Sequence, residues 1–561
     1  MRAVYITFLL CCGASLAHAH WFSTTYTLKG GWNSIYLHGD ATHMNLDDLS
    51  AQYPEIEEIW RWNPNPDEVL YIDSPLLPSA GTAEWSTWTS DGSVLTLTEL
   101  FGQSAYLVKC SGSSSDSYSV TLQQRALAPA VTWERSGANL HGFPSSNASG
   151  SYPYMADYFA TFTAAIASNV QIFKYVGGEI SASNPIQVFS TTFESLDRNQ
   201  AYWFDSDVVG NFYAPLEVSV SGLEGLDFGR TGSTLTVTLN NRTTAVSTVT
   251  IAAVASEAAP AGETFVTGSV PLILRTYDAA SLSWTESAIT EAFTQEIGPE
   301  STVEVSFGID RGAMSSDPGA FYASLLRVTD NTEQFDILLP VTAEVASLAG
   351  LWLGTATVSD VASQVDSSPG STTPRSFNLR YILHVADDGT ARLLSQVFIG
   401  TLADEGNPEG LCTLESGLDA SAKDRATRLS VAHLPLDLVT SEGSGTVALG
   451  SILERTVSIA FNDPSNPFVH QYHPDHDNKD ARADGTSTNL AAGDESYEIT
   501  RQIQFEFTND PPEGTSSSGW GSSVIGGTYT EILDGLHKDS LEVSGTFTFS
   551  RISELGALTI N

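Results

Sequence analysis

The chain has 561 residues, with 25 basic against 66 acidic side chains and a formal net charge of −41. Such a field repels nucleic acid and anionic membrane and keeps a polypeptide dissolved at high salt, so no nucleic-acid partner is expected and a saline setting is. The length exceeds what one hydrophobic core organises, so several domains are expected.

Residues 1–19 read as a secretory signal. Arg2 is the charged start, AVYITFLL the short apolar stretch, and Ala17-His18-Ala19 the small-x-small cleavage site. Cleavage after Ala19 would send the rest out as a secreted, cell-surface or periplasmic chain. No later run is long and apolar enough to cross a bilayer, so no transmembrane segment is expected. Loss of the leader removes Cys11 and Cys12 and leaves Cys110 and Cys412, far apart in sequence. Isolated cysteines of that kind read as buried free thiols rather than as a disulfide scaffold.

The remainder reads as all-β and multidomain. Short runs of Val, Thr, Ile, Phe and Tyr alternate with Gly, Ser, Asn, Asp and Pro clusters. The best helical candidates are residues 45–52 and 154–168. An internal duplication organises the first 220 residues. One copy opens Gly31-Trp32-Asn33 and reaches Leu37-His38-Gly39; the other opens Gly137-Ala138-Asn139 and reaches Leu140-His141-Gly142. An aromatic strand follows in each, through Trp60 and Trp62 or through Phe173 and Tyr175. Residues 102–109 and 198–205 close the two copies. This predicts two homologous β-rich repeats, 20–122 and 123–217, with Trp60 matching Phe173 and Trp62 matching Tyr175.

The "GWN" strand, the "W-x-W" strand and the closing strand together resemble a repeat of large secreted proteins from environmental Gram-negative bacteria. The resemblance implies architecture and export, and no activity.

Residues 218–346 predict an immunoglobulin-like β-sandwich. Leu235, Val237 and Leu239 alternate with threonines, Asn240-Asn241 marks a turn, and the strand from Leu325 to Val328 leads through Asp330-Asn331 into the strand from Phe335 to Val345. The opening Leu226-Asp227-Phe228-Gly229 and the closing LLPVTAEV resemble bacterial Ig-like modules, which usually serve as spacers or binding platforms. Residues 347–561 form the last domain, a β-barrel or sandwich, with strands at 378–385, 391–399, 498–507 and 543–551. Gly350-x-Trp352 is similar to the opening of small ligand-binding barrels. The segments GLW-x-GTATV, LRYILHV-x-DDGTARLL and HPDHDN resemble an uncharacterised C-terminal domain of the same kind of secreted protein.

Two constellations could carry chemistry. The first is His470, His473, Asp475, His476, Asp477 and Asp480, with Asn478 among them. Pro474 opposes a continuous helix, and a strand would not put the histidines on one face, so a loop is expected. Imidazoles with carboxylates suit Zn²⁺, and the carboxylates with the amide suit Ca²⁺. A solvated, internally hydrogen-bonded loop explains the same residues. The second is the concentration of Trp21, Trp32, Trp60, Trp62, Trp85 and Trp88. Trp60 and Trp62 share a strand face and could stack on sugar rings; a buried aromatic cluster is the plainer reading.

There is no Gly-x-Ser-x-Gly elbow, no His-Glu-x-x-His and no phosphate-cradling glycine loop. The expected function is an exported, non-enzymatic surface, matrix or extracellular binding protein, whose partner is an extracellular polymer or surface protein. The alternative is a secreted polysaccharide-active hydrolase or carbohydrate-binding protein with its site in the C-terminal domain.

Overall fold

The computed structural model describes residues 20–63, 84–133, 137–181, 183–222, 225–315, 317–332, 334–363, 377–393, 398–401, 410–412, 426–429, 443–460, 498–535 and 540–557. The protein is mostly β, in several sheets, with very little helix. It divides into two compact units, Met1–Ile309 with Ala320–Glu344, and Asp310–Gly319 with Val345–Asn561.

In the first unit the strands Gly31–Leu37, Ser104–Cys110, Ile56–Trp62 and Trp85–Thr89 lie side by side in that order. A second sheet places Gly137–His141, Tyr202–Ser206, Gln171–Lys174 and Ile186–Gln187 in the same sequence of positions: first, last, second, third. Register agrees as well as order. Asn33 opposes Val108 as Asn139 opposes Phe204, and Trp60 opposes Leu107 as Phe173 opposes Trp203. The shared asparagine has one use in both sheets. Asn33 Nδ2 donates to the Lys29 carbonyl (2.7 Å) and Asn139 Nδ2 to the Ser206 carbonyl (2.9 Å), satisfying buried backbone that a hydrophobic residue would leave unpaired. Tyr106 and Tyr202 also correspond, and each hydroxyl accepts from the backbone N–H five residues earlier, Phe101 (2.7 Å) and Asp197 (3.0 Å). The copies differ at the end of the opening strand. His141 opposes Tyr202, the position that Ile35 holds against Tyr106, so the His-Gly ends of the two strands lie at different depths.

One face of each sheet contributes to a common buried layer. Trp32, Trp60, Trp62, Trp85 and Leu107 meet Ala138, Leu140, Tyr175, Ala201 and Trp203. The indoles pack edge to face, with centroids 4.9 Å apart for Trp62 and Trp203 and 5.2 Å for Trp62 and Trp85, the geometry that the ring quadrupole favours. The other faces bury separately. Ile35, Tyr106, Val108, Trp88 and Cys110 belong to a first core, and burial pushes the Cys110 thiol up to about 12. Trp133, Phe143, Phe159 and Phe204 form a second, aromatic cluster.

The expected helix at 45–52 is present as Leu46–Gln52. Asn45 caps it, its Oδ1 accepting from the Asp48 N–H at 2.8 Å, and Asp47 and Asp48 stand in the first turn. The stretch 154–168 instead gives only Met155–Tyr158 and a 3-10 turn Thr163–Ile166. Phe162 leaves helical backbone at φ −140° and lays its ring on Phe212, centroids 4.8 Å apart. The flanking Thr161 and Thr163 are weak helix formers, so aromatic packing decides.

The sandwich has two five-stranded sheets. One orders Leu216–Val220, Thr234–Asn241, Thr302–Ile309, Leu272–Asp278 and Ser283–Ala288; the other orders Leu226–Asp227, Asp336–Glu344, Phe321–Asp330, Ser247–Ala255 and Phe293–Ile297. The leading strand is divided between the sheets, and its second part pairs in parallel with the final strand, an immunoglobulin-type arrangement. Asn241 builds the turn read from the sequence. Its Oδ1 accepts from the N–H and hydroxyl of Thr243, and its Nδ2 donates to the Ala245 carbonyl.

The C-terminal unit carries an antiparallel sheet of seven strands, Ala391–Leu393, Phe377–Val385, Gly350–Ser363, Leu541–Ser553, Val524–Asp534, Ile499–Phe507 and Ile452–Ile459, in that order. The first and last strands of the domain pair with each other, the connectivity of an up-and-down barrel, and the sheet curls as a half-barrel. The expected strand at 391–399 is split. Ala391–Leu393 ends the large sheet, and Phe398–Thr401 sits in a second sheet between Gly410–Cys412 and Ala426–Leu429. Consecutive leucines at 393 and 394 interrupt the two-residue alternation there. Gly350 has φ +131°, and a Cβ on it would lie 2.0 Å from the Ser553 carbonyl oxygen, so only glycine lets these two strands close. Trp352 then fills the core; Arg551 lies over its ring at 5.4 Å and donates to the Ser347 carbonyl at 2.6 Å.

The shared tryptophan layer predicts a specific loss. Trp203→Ala should lower unfolding free energy by about 3–5 kcal/mol, the usual cost of emptying a large aromatic site. Denaturant titration of the full chain checks it. A loss below about 1 kcal/mol would mean that the layer is not holding the sheets.

Candidate functional site

The C-terminal unit contains a cavity of about 360 Å³. One wall is the turn after Phe377–Val385. There the Asp388 carboxylate accepts from the Thr390 N–H and hydroxyl, at 2.9 and 2.7 Å, and these bonds hold its pKa below the usual carboxylate range. Asp387 stands beside it. A second wall is the segment 310–319, where Asp310 Oδ1 caps a short turn by accepting from the Gly312 N–H at 3.0 Å. That turn sits tightly, since a Cβ on Gly312 would lie 2.2 Å from the Asn509 carbonyl oxygen. Asn509 is itself fixed by Trp520, whose Nε1 donates to the same oxygen at 2.7 Å. Val345–Ala349 and residues 446–449 complete the lining, which is mainly Ala, Val, Leu, Met and Pro.

Arg311 is the cationic member of this lining. It is buried, and burial pushes its pKa down to about 10. The cavity therefore offers apolar surface, a guanidinium and two neighbouring carboxylates on one turn. It can hold and orient a small molecule that has both an apolar body and polar groups.

A second polar constellation lies inside the half-barrel. Arg501 alternates inward with Ile499, Ile503, Phe505 and Phe507, and Glu531 inward with Ile525 and Tyr529. Glu531 is only 1% exposed. Arg501 donates to both of its oxygens, the Nη2 contact being 3.0 Å, and Tyr529 donates its hydroxyl to Glu531 Oε2. Tyr381 shares a hydrogen bond with Tyr529 at 2.8 Å and accepts from Arg501 Nη2 at 3.2 Å. Burial raises the pKa of both tyrosines, and they remain protonated donors at neutral pH. A buried pair of this kind is tolerated only when its hydrogen-bonding capacity is met, as it is here.

His470, His473, Asp475, His476, Asp477 and Asp480 lie outside the described residues. In sequence they fall between Ile452–Ile459 and Ile499–Phe507. Among the described residues, no three His, Cys, Asp or Glu side chains gather as a metal site. Cys110 is buried and free, while the side chain of Cys412 lies outside the described ones. Trp60 and Trp62 are buried in the layer between the two four-stranded sheets, so the plainer reading of that pair applies and sugar stacking there does not. The cavity and the Arg501–Glu531 pair were missed by sequence reasoning. The pair has a readable signal, a charge in phase with inward apolar residues. The cavity has none, because its walls come from six places far apart in the chain.

No protein-family model matches the chain, and no curated protein matches it. Among solved structures it is similar to two proteins of unknown function from Bacteroides ovatus. Each is 11% identical and covers 60% of this chain, with 95% and 96% of theirs covered and TM-scores of 0.16 and 0.12. The pilus adhesin SpaC from Lactobacillus rhamnosus GG, in its open conformation, is 10% identical over 92% of this chain and 53% of its own, at a TM-score of 0.09. Scores this low carry no argument about this chain.

The buried pair generates a test by substitution. Arg501→Met alone or Glu531→Leu alone strands a buried charge and should cost about 3–5 kcal/mol, while the double variant should recover most of that loss. Urea unfolding of the four proteins measures it. A double variant no better than the worse single variant would mean that the two residues act independently.

Proposed function

We propose that this is an exported, non-enzymatic binding protein built of tandem β modules, two of them homologous repeats, acting at the cell surface or in the extracellular matrix. Its partner is an extracellular polymer or a surface protein. The observation that carries this reading is how the buried and cavity carboxylates are used. Glu531 is fully engaged by Arg501 and Tyr529, and Asp387 and Asp388 are adjacent on one turn. Glycosidic hydrolysis uses two carboxyl groups on opposite sides of a bond, roughly 5–9.5 Å apart. The arrangement here suits holding a ligand rather than cleaving one. The cavity also favours a narrower second reading, capture of a small ligand by the C-terminal unit, since about 360 Å³ falls within the ordinary range of ligand pockets.

Two measurements test the main reading. Protein recovered from the periplasm or medium of a Gram-negative host should begin at His20 on N-terminal sequencing. Incubated with dyed polysaccharides, it should release no soluble product. Intact Met1 in the cytoplasm would overturn export, and product release would favour the hydrolase.

Within this reading, His470, His473, Asp475, His476, Asp477 and Asp480 are proposed to hold Ca²⁺ or Zn²⁺ in a structural role. Metal bound only by the folded state raises the melting temperature with the logarithm of its free concentration. Calorimetry of the full chain with Ca²⁺, with Zn²⁺ and after EDTA should show such a rise, lost in His473→Ala or Asp477→Ala. A zinc effect should weaken as acid protonates the imidazoles, and a calcium effect should persist until the carboxylates titrate. Equal melting temperatures throughout would sink the site.

A further inference from the structure

The hairpin Leu272–Asp278 and Ser283–Ala288 forms one margin of the sandwich's first sheet. Its pairing with Thr302–Ile309 runs only from Leu272 to Arg275, so the outer half of the hairpin leaves the sheet as a two-stranded ribbon. Every residue of Ser283–Ala288 is exposed. Leu272 and Leu274 stand opposite Ile309 and Phe307, which belong to the core side. By alternation Arg275 and Tyr277, with their partners Glu286 and Trp284, stand on the outer side.

That outer side carries an ordered aromatic pair. Tyr277 and Trp284 are direct cross-strand partners with ring centroids 5.3 Å apart, and they remain 48% and 50% exposed. The Arg275 guanidinium lies 4.8 Å from the Trp284 ring centre. It is fixed there by Glu286 at 2.9 Å and by the Thr234 hydroxyl at 2.9 Å. The indole is thus set before any ligand arrives, which reduces the ordering cost of binding.

The ribbon's tip is equally fixed. Asp278 accepts from the Ala280 N–H and the Ser281 hydroxyl, at 2.9 and 2.7 Å. Leu282 follows at φ +54° and is 76% exposed. A glycine or asparagine would occupy that backbone with less strain. A leucine there leaves an apolar side chain exposed at the ribbon's tip.

Beyond the pair the outer face is rich in hydroxyls. Thr236, Ser306, Arg275 and Glu286 line up across four strands, and Ser219, Thr238 and Glu304 form the neighbouring row. Flat aromatic surface beside short hydroxyl side chains matches the chemistry of a pyranose ring, apolar on its C–H face and polar at its rim. Charge selects among polymers. A chain of net charge −41 repels an anionic polysaccharide, and Arg275, neutralised by Glu286, does not offset that.

We propose that Trp284 and Tyr277, backed by Arg275, form a stacking platform for a sugar ring of a neutral polysaccharide. This deepens the extracellular-binding reading and rests on it.

The test is native affinity electrophoresis of the full mature chain in gels containing dextran, laminarin, galactomannan or xylan, with alginate as the anionic comparison. At least one neutral polymer should retard the protein, with little dependence on salt. Trp284→Ala should weaken that retardation at least tenfold and Tyr277→Ala in the same direction. Phe189→Ala, at an exposed site on the second repeat, should leave it unchanged. Circular dichroism melts of the variants should match the parent, because these side chains are half exposed. Equal retardation of parent and Trp284→Ala would overturn the platform and leave the binding reading standing. Retardation by no neutral polymer, or by alginate alone, would also overturn the platform, while the export and product-release measurements judge the broader reading separately. Self-association that Trp284→Ala abolishes would instead assign this face to a second copy of the chain.

Discussion

Two thin sheets of four short strands each must find a place to bury their indoles, and the layer between them is where both do so. A large aromatic side chain buries roughly 150–250 Å², so a few of them give short strands a second buried face beside their separate cores. The two sheets bring different side chains to equivalent positions of the layer. Trp32 corresponds to Ala138 and Leu107 to Trp203. Large and small side chains mix across the layer, and its closest indole contact, Trp62 with Trp203, joins the two sheets.

The C-terminal half-barrel solves a different problem. Its interior is largely aromatic and aliphatic, yet it also contains a carboxylate and a guanidinium. Their mutual bonds and the two tyrosine hydroxyls meet the hydrogen-bonding demand that burial would otherwise leave open. On two other strands of the same sheet, Gly350, Trp352 and Arg551 close the sheet by shape, with glycine allowing the approach and arginine covering the indole. Polar groups in this unit are thus held in fixed arrangements.

Much of this was legible in the sequence because alternation is a strong signal in strands. The Thr-Leu-Thr-Val-Thr-Leu run gave its faces directly, and Asn241 and Asp330 mark turns because their side chains satisfy the backbone locally: Asp330 Oδ1 accepts from the Gln334 N–H at 2.7 Å. The matched strand order of the two sheets follows from spacings visible around Trp60 and Phe173. What was not legible depends on distant packing. Residues 154–168 have a helical pattern, but Phe162 is drawn to Phe212, and no local rule anticipates that. The cavity joins Arg311, Asp388 and Leu449 from separate stretches that share no periodicity. The exposure of Tyr277 and Trp284 follows from the ribbon's departure from the sheet, which strand alternation alone does not mark.

The ten residues 310–319 lie in sequence between two strands of the sandwich, yet they are part of the C-terminal unit. The boundary between the two halves is consequently not a single point in the chain, which passes from one unit to the other after residues 309, 319 and 344. A C-terminal piece excised at residue 345 would leave Arg311, Met314 and Pro318 behind and lose one wall of its cavity. Exchange of this last domain between proteins by a single crossover would separate the pocket from Arg311.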